Sequence, residues 1–275
     1  MTVDTGTGFP LQVLHRLALG VEPIDALRRL PIGPRVRVGR EVTQLHGRRR
    51  AGGVLDPLAR RTDLPLETNG TGRFKLRHGD GVGAMVLIRI DDPTRGYVPR
   101  RFEVPLWTLA EVEAPAGPYI PVRSRLLRPS LLPGSAYPAP RGTTGVRGSM
   151  VRNGQPVRWP RVEALGPGGL VVGRAHGDER GEFLLIVTGT GSVTPPPPAT
   201  LDIQLLMYGP AGEPPDPALE PVTRSSAPPL PSDLDNPLLR GESIPIGYTV
   251  SSASPTVTVP IGELRSVPAP FTFWP

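Results

Sequence analysis

Cysteine is absent from the 275-residue chain, which excludes disulfides, thiolate zinc sites and cysteine nucleophiles. Lysine is almost absent: of 31 basic residues only Lys75 is a lysine, and the rest are arginines. Aromatic residues make up 5% of the chain, too few for a base-stacking platform. The only run of three basic residues is Arg48-Arg49-Arg50, and Arg60-Arg61 and Arg100-Arg101 are among the pairs. Nucleic-acid binding asks for a concentrated patch, so it is not expected despite a formal charge of +6. Histidine occurs four times, as His15, His46, His78 and His176, with no His-Glu-x-x-His and no pair at metal-ligand spacing. No apolar run approaches 18 residues, so no membrane-spanning helix is expected. Residues 1–8 lack the basic and apolar regions of a secretory signal. The expectation is a chain made in the cytoplasm.

Proline (38) and glycine (33) are abundant. Prolines scattered every few residues forbid long helices, because each removes an N–H and clashes with the preceding turn. Helical bundles and doubly wound α/β folds are therefore not expected. Short apolar runs bounded by turn residues remain: 35–42, 84–91, 100–106, 146–152, 157–165, 170–174, 183–188 and 201–208. Their spacing predicts a mainly β chain, sandwich or barrel, and tandem small sandwiches are the reading taken. Asn153-Gly154 signals a tight hairpin. Residues 11–30 fit either an amphipathic helix with a second short helix after Pro23, or a strand and turn.

Two regions share a pattern. Pro34-Arg35-Val36 is followed by Asn69, Gly72 and Phe74, and Pro160-Arg161-Val162 by Asp178, Gly181 and Phe183. In each Asx-x-x-Gly-x-Phe unit the Asx side chain can bond its own backbone two residues on, while glycine accepts positive φ. Phe then opens a strand whose alternate side chains enter a core. The pattern makes the two regions candidates for a duplication. The organisation read from it is a β-rich domain over 1–113, a Pro/Gly/Arg-rich linker over 114–141 laid on a surface, a sandwich over 142–209 and an extended Pro-rich arm over 210–275. An arm so poor in apolar surface cannot fold alone, so the second domain, another copy or a different protein must order it.

Within 142–209, Val146-Arg-Gly-Ser-Met-Val-Arg-Asn-Gly-Gln-Pro-Val157, then Arg161-Val-Glu-Ala164 and Asp178-Glu-Arg-Gly-Glu-Phe183, resemble carboxypeptidase regulatory-like domains. The resemblance covers about a quarter of the chain. It implies a transthyretin-like or immunoglobulin-like sandwich with no catalytic residue and no cofactor to carry over. Modules of this kind resemble accessory parts of surface proteins and of phage-tail-like contractile injection particles. Bulky Trp159-Pro160 stands where the family has a small residue.

No Gly-x-Ser-x-Gly elbow occurs, and Gly79–Gly83 and Gly166–Gly169 lack the lysine of a phosphate loop and read as turns. Asp91-Asp92 reads as a turn start, and Asp233-Leu-Asp-Asn236 lacks the glycine and distal glutamate of an EF-hand. The chain is therefore read as no enzyme and as holding no cofactor. Phe271, Phe273 and Trp274 gather at the chain end. They either anchor in a partner's groove as hot spots or fold back on their own sandwich. On the first reading, other protein subunits are the partners in an assembled or released particle, and deleting 211–275 leaves both sandwiches folded. The alternative is a carbohydrate- or small-ligand-binding module that stacks its ligand on Trp159 or Trp107, with Tyr119 and Tyr208 as further platforms.

Overall fold

The computed structural model describes residues 2–4, 10–12, 17–44, 60–79, 82–114, 120, 122–188, 198–223 and 236–275. Apolar alternation sets the first unit's strands: β1 (Leu17–Val21), β2 (Arg37–Gln44), β3 (Arg60–Pro65), β4 (Phe74–Arg77), β5 (Met85–Asp91) and β6 (Arg100–Pro105). In β5, Val86, Ile88 and Ile90 point inward while Met85 faces out, the two-residue period of a strand. One antiparallel sheet runs β6–β5–β2–β3. The facing sheet pairs β1 with β4 and adds Glu67–Thr68. Ala18, Val21 and Phe74 meet Val38, Ile88 and Phe102 in one core between them.

The ambiguity over 11–30 resolves, for 17–30, as strand and turn. β1 is fixed by its pairing of Leu19 with Leu76 and Val21 with Phe74. Asp25 then turns the chain, its Oδ1 accepting from the Leu27 and Arg28 N–H at 2.8 and 3.0 Å. Residues 13–16 lie outside the described residues.

Of the stretch read as a surface linker, residues 126–137 instead enter the first unit. Leu126–Leu127 runs parallel to β1, and Ser130–Leu131 runs parallel to Ile24–Asp25. Leu127, Leu131 and Tyr137 are buried in the first core. Proline is tolerated here because these are short edge strands, whose outer N–H positions need no partner.

The second unit comprises β7 (Gly145–Arg152), β8 (Arg161–Leu165), β9 (Val171–His176), β10 (Glu182–Ile186) and β11 (Thr200–Pro210). β7 pairs with β10, and the opposing sheet runs β9–β8–β11. Met150, Phe183 and Leu185 face Val162, Ile203 and Leu205 across the core. This is the expected sandwich. Its hairpin stands at Asn153 (φ 52°) and Gly154 (φ 77°), the two positive φ values of a type I′ turn. Both Asx turns form as well. Asn69 Oδ1 accepts from the Thr71 N–H at 3.1 Å, and Asp178 Oδ1 from the Arg180 N–H at 2.9 Å.

Among the described residues no free arm follows. β12 (Leu219–Pro221) lies parallel to β6 in the first unit. A one-turn helix, Pro237–Arg240, is capped by Asn236 and closed by Gly241 in the left-handed region. β13 (Tyr248–Val250) and β14 (Thr256–Pro260) then pair with successive halves of β11. Finally, β15 (Leu264–Ser266) and β16 (Phe271–Thr272) run parallel to β7. The molecule's own two units hold the described parts of this stretch, which supply Val222 and Leu239 to the first core and Val257, Val259 and Phe273 to the second. The expectation that 211–275 is dispensable for folding does not fit these contacts. Leu184 and Ile186 of β10 also pack into the first core, so the two units are joined through apolar contact. Among the described residues no helix is long and apolar enough to cross a membrane.

Candidate functional site

Where the two units and the tail meet, charge is buried. Arg100, on β6, is fully buried, and a guanidinium has five N–H donors to satisfy. Nε donates to Glu220 Oε1 at 3.1 Å and Nη2 to Glu220 Oε2. Nη1 donates to the carbonyls of Ser130 (2.7 Å) and Leu239 (2.9 Å), and Nη2 also to that of Leu238 (2.6 Å). One side chain thus ties β6, the Ser130–Leu131 strand, β12 and the one-turn helix together. Arg161, from β8, reaches the same Glu220 at 3.4 Å, so two buried guanidiniums share one carboxylate. Burial pulls the Arg161 pKa below its ordinary value.

His176 stands opposite Arg161 in the β8–β9 register. Its Nε2 lies 2.9 Å from the Gly241 carbonyl, which makes Nε2–H the donor and leaves Nδ1 as the unprotonated nitrogen. Burial first, then the charges of Arg161 and Arg100, push its pKa well below 6.5, so the ring is neutral.

The crossing segment before Glu220 is gripped from both sides. Arg89 Nη1 holds Asp216 at 2.6 Å, and Arg101 donates to the Pro217 carbonyl at 3.0 Å while pairing bidentately with Glu41 at 2.6 and 2.8 Å. Burial opposes the Arg89 charge, but Asp91 and Asp216 more than offset it and raise its pKa. From the second unit, Arg158 Nη2 donates to the Pro215 carbonyl at 3.1 Å and Trp159 Nε1 to that of Pro214 at 3.3 Å.

Beside this segment, between the units, opens a cleft of about 970 Å³. Val36, Val38, Leu66 and Phe74 give it apolar walls, and Arg37, Arg158 and Trp159 lie along it. Another buried carboxylate, Asp25, lies nearby. Tyr97 and Tyr137 both donate to Asp25 Oδ2 at 2.8 Å; burial and that carboxylate push the Tyr137 hydroxyl up to about 12. With its two backbone donors Asp25 is fully engaged. The arrangement offers binding and rigidity.

The residues singled out from sequence are dispersed. Phe273 is 1% exposed inside the second sandwich, with the Arg152 guanidinium 4.9 Å from its ring centroid, and Phe271 packs against Phe183. Trp274 is 55% exposed. Trp159 lines the cleft but is 4% exposed and has left-handed backbone (φ 58°). Trp107 sits elsewhere, in a small recess with Leu19, Ser124 and Arg125. Tyr208 bonds Glu163 at 3.2 Å on the second unit's β8–β11 sheet. Tyr119, His15, His46 and the 48–50 arginine run lie outside the described residues, as do 233–235. Sequence reading missed Arg100, Arg161, His176 and Glu220. The Arg100-Arg101 pair drew notice only as basic residues, and nothing local marks Glu220 as buried.

No family model and no curated protein matches the chain. Among solved structures it is similar to the Bacillus anthracis TIE protein, at 11% identity over 94% of this chain and 34% of that one, with a TM-score of 0.23. The minor pilin GBS52 of Streptococcus agalactiae is 10% identical over 94% of this chain and 97% of that one, with a TM-score of 0.24. A leucine-rich repeat protein of Bacteroides thetaiotaomicron is 10% identical over 94% and 27%, at 0.20. The chain spans about a third of the length of the first. Superpositions this loose carry no argument about fold or role.

Proposed function

We propose that the chain is a non-catalytic structural subunit of a multi-protein assembly. One observation carries this reading: the buried ionic groups are spent on joining the molecule to itself. Arg100 and Arg161 meet on Glu220, and Arg101 meets Glu41 beside it, so two sandwiches and the tail are fixed as one body. A body pre-organised in this way suits a scaffold, because partners lose little conformational entropy in docking on it. Trp274, Val250 and Ile246 stand exposed on the tail and supply apolar contact surface.

The more specific form of the reading is a carboxypeptidase regulatory-like sandwich within a phage-tail-like contractile injection particle. Its support is the sequence resemblance over 142–209 together with the sandwich found there; the assembly class is an analogy of module type. The test is affinity purification of the tagged chain from its native host at low and high salt, with mass spectrometry and negative-stain imaging of the eluate. A defined set of proteins within a particle is expected. A monodisperse monomer by light scattering, with no co-purifying protein, overturns it.

A further inference from the structure

From the inter-unit cleft we infer a binding site for a small organic anion, an apolar body carrying one carboxylate. This stands apart from the assembly reading and does not depend on it. The cleft's volume of about 970 Å³ lies within the range of small-molecule sites, which are mostly apolar with a few placed polar groups. Its walls come from both units and are held by the clamps on 214–220, so the space is preformed.

Charge decides the ligand. Every carboxylate on the walls is engaged within the protein. Asp91 pairs with Arg89 at 2.7 Å, and Glu179 with Arg95 at 3.1 Å. Asp92 accepts from the Thr94 N–H and hydroxyl and from the Tyr97 N–H at 2.7–3.0 Å. Asp178 accepts from the Arg180 and Glu182 N–H at 2.9 and 3.0 Å and pairs with Arg180. Two guanidiniums on the same walls have no carboxylate among the described residues. Arg37 is exposed, and its guanidinium makes no hydrogen bond or ion pair there. Arg158 has only the Pro215 carbonyl, and its Nε is buried with no partner.

A buried donor left without an acceptor is costly, and a carboxylate matches the fork that a guanidinium presents. The next residue, Trp159, holds its left-handed backbone against the usual steric preference, and strain of this kind concentrates at ligand sites. A cationic or neutral ligand would leave both guanidiniums uncompensated, which selects the anion.

The test uses the whole chain with 4-phenylbutyrate, octanoate and indole-3-propionate as probes, and 4-phenylbutanamide as the uncharged counterpart. Isothermal titration and ligand-observed NMR read the binding. At least one acid is expected to bind saturably, and where 4-phenylbutyrate does, the amide binds at least tenfold more weakly. Arg37→Met, at an exposed side chain that the fold does not use, lowers acid affinity severalfold with an unchanged melting curve; Arg158→Met lowers it further. Equal binding of acid and amide overturns the inference. So does unaltered affinity in a folded Arg37→Met, or the lack of saturable binding by all three acids up to about 10 mM, beyond the range of even millimolar sites.

Discussion

His176 shares its buried surroundings with three charged groups, Arg161 and Arg100 on one side and Glu220 between them, with Tyr248 packed nearby. Its folded pKa lies well below the 6.5 that the unfolded chain offers. Between those two values the unfolded chain binds a proton that the folded chain refuses. This contribution is therefore complete above pH 6.5 and is lost as pH falls through the window, at up to about 1.4 kcal/mol per pH unit. Urea denaturation at pH 7 and pH 5 is expected to show the loss, and His176→Gln, which keeps a donor for Gly241, to flatten it. Glu22 acts lower: burial works to raise its carboxyl, but the hydrogen bonds and charges of Arg73 and Arg128 bring it below 4.5, so its stabilisation is lost only in that acid range. The terminal aromatics divide as sharply. Phe273→Ala opens a cavity in the second core and is expected to cost about 3–5 kcal/mol, whereas Trp274→Ala stays within about 0.5 kcal/mol. Comparable losses at both positions would show that the buried and exposed assignments are mistaken.

Strands that announce themselves locally were readable, and strands defined by distant partners were not. Asn69/Gly72/Phe74 and Asp178/Gly181/Phe183 carry their turn chemistry within six residues, and both turns form with the predicted hydrogen bonds. Alternation in 84–91 and 201–208 likewise fixes a buried face. β12, β15 and β16 are two or three residues long and hold their places through parallel pairing with strands over a hundred residues earlier, which leaves no local period to detect. The same holds for Leu127 and Leu131, buried from within a proline-rich stretch, and for Arg100, whose residue type points to the surface. The tail's elements are thus integral. Truncation after Pro210 strips strands from both sheets, and the product is expected to lose near-ultraviolet circular dichroism and cooperative unfolding. A truncated chain that melts cooperatively near the full-length midpoint would contradict this.

At the scale of the whole molecule, β10 contributes to both cores, and Glu220 is shared by arginines of both units. Calorimetry is expected to show one transition with equal calorimetric and van't Hoff enthalpies; two separable transitions would mean that the units melt independently. Glu220→Gln removes the carboxylate from two buried guanidiniums, a change expected to cost about 3–5 kcal/mol and to lower that single midpoint. The parallel placement of β16 on β7 also governs the order of events during synthesis. Val151 waits for Thr272, about 120 residues later, and at about 5–20 residues per second its edge stands uncovered for many seconds on the ribosome. Until the last strands emerge, the nascent second sandwich exposes an open sheet edge that neighbouring nascent chains can pair with, which makes translation speed and chaperone supply determinants of yield.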